Sequence, residues 1–262
     1  MGLLAVRAVI EFHWGYSVKR PVFSAAQPAH IVPPPKPLLG AFARVIASVR
    51  RWPEAFIEED ALYSTAARLL DEILWAALAL IDERFISPLL GLVETRDVIR
   101  ALIAPYQRRN NIYPGSPFLF GIQPHGKVYA PSMRALATFL VRSEEAAYLA
   151  YALQCMGSRE SIISVYEIEV GEARPLRQSE VETLYYFPAR LGSVERGAFM
   201  RELLSAPNKD HYLLGRVHDV AANWEEYIVP LEPVSVAPSP RAAVVADPAG
   251  TPLIVPRDVV RL

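Results

Sequence analysis

A single cysteine, Cys155, is all the sequence contains, which excludes an internal disulfide and any multi-cysteine metal cage. The five histidines (His13, His30, His125, His211 and His218) include no pair at helical ligand spacing. Neither a structural metal nor a small-molecule cofactor is expected. Long apolar runs are also missing. The most apolar window, Ile73 to Ile81, is bounded by Asp71 and Glu72 on one side and Asp82 and Glu83 on the other. That is far short of the ~20 residues a membrane span requires. The chain does not begin with a charged stretch, an apolar stretch and a small-residue cleavage site, so a cytoplasmic location is expected. Asparagine and glutamine are scarce, at four and five, against 23 prolines, a depletion of heat-labile side chains that points to a thermophile.

What is present is an apolar chain: 52% of its 262 residues are hydrophobic and 21% charged, which excludes extended disorder. The net charge is −1, yet the charges are unevenly distributed. Residues 1–51 carry seven bases against Glu11 alone, and residues 52–100 reverse this with ten acids against four arginines. Residues 101–142 hold Arg108, Arg109, Lys127, Arg134 and Arg142 with no acid at all. Two basic blocks separated by an acidic one suit a chain with one polyanion-binding face and other faces turned to solvent or protein.

Leu3 to Phe12 reads as a mostly buried strand. A proline-studded loop follows to Pro35, and the run from Ala41 to Arg51 has helical spacing. Glu59 to Arg84 also reads as a helix, and Asp97 to Ala104 as a shorter one. Tyr106 to Lys127 is turn-rich, interrupted by the apolar run Phe118 to Ile122, and reads as a hairpin or an extended loop, and Tyr129 to Val141 reads as a strand. Ser143 caps a helix extending to Met156, and Ile162 to Val170 alternates as a strand. The order strand, helix, strand, strand, helix, strand is that of an α+β, ferredoxin-like (RRM-like) domain over residues 1–170, with an acidic helical insertion at about 52–104. Residues 171–262 read as a small β-rich unit with short strands at Leu184–Phe187, Tyr227–Val236, Ala242–Ala246 and Pro252–Val255.

Three segments resemble the Cas five family of CRISPR-associated proteins, within the larger repeat-associated RAMP group. They are the strand exit Phe12 to Phe23, the run from Pro33 through Lys36, Pro37, Leu38, Leu39 and Gly40 to Ala41, and Gly157-Ser158-Arg159-Glu160-Ser161. The second is the most specific. All three lie in residues 1 to about 165, and the inserted acidic segment looks like that of the archaeal type I-A branch. The resemblance implies a non-catalytic subunit of a Cascade complex in antiviral defence. Such a subunit grips the 5′ repeat tag (the 5′ handle) of a CRISPR RNA and contacts the backbone and large subunits. One branch of the family instead cleaves repeat RNA.

Under that resemblance, Lys19 and Arg20 are candidates for RNA phosphates, and Tyr16 or Phe23 for stacking a splayed base; the alternative is a solvated basic loop with Phe23 buried. Lys36, at a helix start, adds an ammonium where backbone N–H groups already favour an anion. Gly157, Ser158 and Arg159 follow a helix, with Gly157 admitting unusual backbone angles and Arg159 supplying charge; a plain glycine C-cap is the alternative. Arg108, Arg109, His125 and Lys127 occupy the acid-free segment, an arm for guide RNA or a neighbouring subunit. For an endoribonuclease, His125, Lys127 and Tyr129 match by type the base, cation and acid that metal-independent cleavage needs. A third reading is a purely structural interaction protein.

Overall fold

The computed structural model describes residues 2–18, 20, 28–81, 93–102, 120–157, 161–214 and 224–261, and of 93–102, 120–125 and 261 the backbone only. The first strand, β1 (Leu4–Phe12), is followed by the two-residue β2 (Gly15–Tyr16) and by α1 (Pro35–Val49). Proline occupies the first turn of α1, where its missing N–H costs nothing. Its buried side chains, Pro35, Leu38, Leu39, Phe42, Ala43, Ile46 and Ala47, repeat at three and four residues and form one face, with Phe42 against Phe139 of the sheet at 4.7 Å.

The acidic segment is not a helical insertion. It forms a small hairpin, β3 (Ala55–Glu58) and β4 (Ala61–Ser64), then a 3-10 turn at Thr65–Leu69, then the strand β5 (Ile73–Leu80). The second helix expected at 97–104 is likewise a strand, β6 (Val93–Leu102), paired antiparallel to β7 (Phe120–Tyr129). Residues 103–119, part of the expected turn-rich stretch, lie outside the described residues. β8 (Met133–Val141), α2 (Glu144–Leu149) and β9 (Ile163–Glu172) follow, with Ser143 Oγ accepting the Ala146 N–H at the start of α2. The helix is shorter than the one expected to Met156, giving way to a 3-10 turn at Ala150–Ala152 and a bridge between Cys155 and Ile162, and Tyr129 ends β7 instead of opening β8.

One sheet organises this half, in the order β5-β8-β1-β9 with every neighbour antiparallel. Along the chain the strands of this sheet and the helices between them run β1, α1, β5, β8, α2, β9, with β5 lying in a segment expected to be helix. A second, smaller sheet is β2-β7-β6. Gly15 makes this junction possible. Its φ is +137°, and a Cβ there would sit 1.9 Å from the Val128 carbonyl oxygen.

The remainder is all strand apart from short helical turns: β10 (Arg174–Leu176), β11 (Val181–Thr183), β12 (Phe187–Pro188), β13 (Gly192–Arg196), β14 (Phe199–Ser205), β15 (Trp224–Pro230), β16 (Val234–Pro238), β17 (Ala242–Ala246) and β18 (Pro252–Pro256). They form three three-stranded sheets, β10-β17-β18, β11-β16-β13 and β12-β15-β14. The expected strand Tyr227–Val236 is in fact split between β15 and β16. β9 runs past residue 170 to Glu172, and the main apolar core is continuous across that point, joining Ile10, Phe42 and Leu140 to Tyr186, Tyr227 and Val255. No helix among the described residues is long and apolar enough to cross a membrane.

Candidate nucleic-acid interface

The three segments singled out in the sequence meet in space. At the strand exit, the Ser17 N–H donates to Ser161 Oγ at 3.2 Å and the Ser17 hydroxyl donates to the Gly126 carbonyl at 3.0 Å. Gly157 has φ +80°, and a Cβ on it would lie 3.0 Å from Val18 Cγ2, 3.5 Å from the Ser17 carbonyl oxygen and 3.9 Å from Pro37 Cβ. The strand exit, the first turn of α1 and the glycine turn thus pack on one another, more than a plain C-cap requires. Ser158 and Arg159 lie outside the described residues.

The first turn of α1 has no side-chain cap and no acidic residue. Pro35 and Pro37 have no N–H and the Leu38 N–H donates to the Pro34 carbonyl at 3.4 Å, so the positive potential here comes from the Lys36 N–H and the helix dipole. Lys36 is half-buried there, with Nζ 5.7 Å from the centre of the Tyr212 ring, while the Tyr212 hydroxyl donates to the Lys36 carbonyl at 3.2 Å. Burial pulls the Lys36 ammonium below its ordinary value of 10.5. A half-buried cation of this kind is stabilised by an incoming anion.

Two expectations for the strand exit change. Tyr16 is fully buried, packed on Phe12 at 5.3 Å between centroids, with its hydroxyl donating to the Ile31 carbonyl. Burial, then the nearby Glu202 carboxylate, pushes its phenol well up. It is a core residue and offers no face to a base. Arg20 is one-third exposed and tied to Glu202, Nη2 to Oε1 at 2.9 Å. Lys19 and Phe23 lie outside the described residues.

Beside this junction rises the β6–β7 hairpin. Lys127, on β7, lies over the Trp14 ring at 5.5 Å, and Tyr129 is exposed at the base of the hairpin. His125 is paired through its backbone opposite Asp97, but its side chain, like Arg108 and Arg109, falls outside what is described. No described contact joins Lys127 to Tyr129 in a catalytic arrangement. Among the described residues no three His, Cys, Asp or Glu side chains cluster as metal ligands.

Sequence reasoning passed over Trp14, Tyr212 and Glu202. Trp14 carried a signal, an aromatic residue directly after a strand and before a basic loop. Tyr212 and Glu202 carried none, because their partners lie 176 and 182 residues away along the chain.

Comparison with known proteins agrees with this geometry. No protein-family model matches the chain. A protein named CRISPR system aCascade subunit Cas5 1, from Saccharolobus solfataricus, is 28% identical over 217 residues, covering 80% of this chain and 82% of that protein. Two further proteins of that organism, CRISPR-associated protein Cas5 3 and Cas5 2, are each 24% identical over 80% and 83% of this chain. The crystal structure of a CRISPR protein from Archaeoglobus fulgidus shares the fold, with a TM-score of 0.59 over 97% of this chain and 99% of its own, at 18% identity. At 24–28% identity over about four fifths of its length, the chain is similar to proteins of the Cas five (Cas5) family.

Proposed function

We propose that this chain is a non-catalytic CRISPR RNA-binding subunit of a type I Cascade complex, holding the 5′ repeat tag of the guide RNA at the junction of the strand exit, the α1 N-terminus and the glycine turn. In this reading the βαββαβ half is a ferredoxin-like RAMP domain of the archaeal type I-A branch, working in the cytoplasm beside the backbone and large subunits. The single observation that carries it is the packing of Gly157 against Val18 and Pro37, which brings the three family segments to one place with Lys36 and Lys127 close by in the chain. A cationic site that shows no cluster of acid and base groups among the described residues suits retention of a polyanion better than turnover. The name of the Saccharolobus relative, a Cascade subunit, supports the assembly part of the reading.

The test is incubation of the purified protein with labelled repeat RNA in EDTA at low and moderate salt. A shifted band that weakens with salt and no cleavage product is the expected result. A discrete product would replace this reading with the endoribonuclease, and loss of that product on changing His125 would identify its base. Absence of both would leave the purely structural subunit.

A further inference from the structure

Glu202, on β14, is only 7% exposed, and one of its oxygens gathers contacts from Arg20, His30 and Ile31. Oε1 accepts from Arg20 Nε at 3.2 Å, from Arg20 Nη2 at 2.9 Å and from the Ile31 N–H at 3.1 Å, with His30 Nδ1 also at 3.1 Å. The other oxygen, Oε2, and the far ring nitrogen of the fully buried His30 have no hydrogen-bond partner among the described residues. Just outside the carboxylate the backbone closes a neck, the Arg20 N–H donating to the Pro28 carbonyl and the His30 N–H to the Val18 carbonyl, both at 2.8 Å. The His30 ring stacks on Trp224 of β15 at 5.1 Å and 16°.

A carboxylate this deep is tolerated only when donors converge on it. Here the donors come from both arms of one neck, so satisfying Glu202 also fixes the neck. The Arg20 guanidinium has five N–H donors in a rigid fork. Nε and Nη2 are directed inward to Glu202, which leaves Nη1 with no hydrogen-bond partner among the described residues, on a side chain that is one-third exposed.

We propose that Glu202 is a positioning residue for RNA: an acid that strengthens the binding of a polyanion by holding the neck closed and turning the outer edge of Arg20 toward a phosphate. The inference rests on the RNA-binding reading above and adds the residue from the C-terminal strands that makes it work. It also predicts a sign opposite to simple electrostatics. Glu202→Gln removes a negative charge, which by itself tightens RNA binding, whereas loss of the positioning contact weakens it. About a tenfold weakening is expected, the equilibrium equivalent of one charge-assisted contact.

The experiment is a double-mutant cycle on the full chain, with Arg20→Ala, Glu202→Gln and the pair, read as affinity for repeat RNA at fixed salt and checked for folding by circular dichroism. Each single variant should lose affinity, and Glu202→Gln should cost nothing further once Arg20 is absent. Arg20→Lys keeps the charge without the fork and should weaken binding nearly as much as Arg20→Ala; being partly exposed, it serves if Glu202→Gln does not fold. Tighter or unchanged binding by Glu202→Gln, additive losses, or full activity of Arg20→Lys would each overturn the proposal. If the wild-type protein binds no RNA, the proposed function fails and this inference with it; if wild type binds and Arg20→Ala binds equally well, only this inference fails.

Discussion

At the scale of single residues, Gly157 and Lys36 show two ways in which the proposed site strains its protein. Gly157 holds φ +80° within 3.0 Å of Val18, so alanine there is strained by its backbone and crowded by its neighbour. Gly157→Ala should cost roughly 1–3 kcal/mol in urea unfolding and weaken RNA binding. Lys36→Gln should separate the two effects. Because burial lowers the Lys36 pKa, the folded state holds its proton less tightly than the unfolded chain does. The stability of the wild-type protein therefore rises with pH between the lowered value and 10.5, and at neutral pH the charged group is a cost. Lys36→Gln should unfold at the same or a slightly higher temperature, lose the alkaline rise, and bind RNA less tightly with a salt slope smaller by about one. The two residues also differ in legibility. Gly157 and Lys36 stand out in the sequence as a turn glycine and a lysine after prolines. The carboxylate and the ring that support their surroundings, Glu202 and Tyr212, sit in the β-rich C-terminal region and reach partners 182 and 176 residues away.

At the scale of elements, β5 explains why the sequence reading mistook strand for helix. Seven of its eight residues are buried, since α1 covers one face and the C-terminal strands reach its far side, where the Tyr186 N–H donates to the Leu78 carbonyl at 3.2 Å. A strand buried this completely does not alternate, and an unbroken apolar run fits either structure. By contrast β1, α1, β8, α2 and β9 carried their periods or caps openly. β6 reads as a short helix and β7 falls in a stretch that reads as a hairpin or an extended loop for another reason: their pairing joins segments separated by residues 103–119, and no short turn signal marks it.

The acidic residues once read as a helix have a concrete role at the start of β5. Arg50, at the C-terminus of α1, grips both oxygens of Glu72 at 2.7 and 2.8 Å and lies 3.6 Å from Glu145 in the first turn of α2. Hydrogen bonding to Arg50 is the main cause that holds the Glu72 carboxyl below its ordinary value. Its contribution is therefore full above the unfolded carboxylate range and is lost as pH falls through the lower folded value. Glu72→Gln should cost about 1 kcal/mol at pH 7, allowing for solvent screening, and nothing at a pH where wild-type Glu72 is protonated. Thermal unfolding of both proteins across the acid range measures the difference.

At the scale of the whole molecule, the main apolar core takes residues from both sides of position 170, while a second cluster around Phe187, Leu191, Val234 and Ile254 lies within the C-terminal strands alone. A buried polar chain crosses that position: the Thr138 hydroxyl donates to Tyr185 Oη at 2.7 Å, and the Tyr185 hydroxyl donates to Asp247 Oδ2 at 2.8 Å. Asp247 is fully buried, accepts the Thr251 N–H on its other oxygen and lies 3.6 Å from Arg7 of β1. Burial first, and then the Asp247 carboxylate, raises the Tyr185 pKa, so the phenol stays protonated and serves as the donor this chain needs. Tyr185→Phe preserves the shape and removes only the hydroxyl, stranding a buried carboxylate oxygen and a buried threonine donor. It should cost about 1–3 kcal/mol. Because one apolar core contains residues from both halves, that loss should appear as a shift of a single transition, with the urea slope unchanged and with fluorescence and circular dichroism coincident. Two separated transitions, with only the second moved, would mean that the β-rich strands fold as an independent domain and that the long-range supports at Glu202 and Tyr212 are made after both halves have formed.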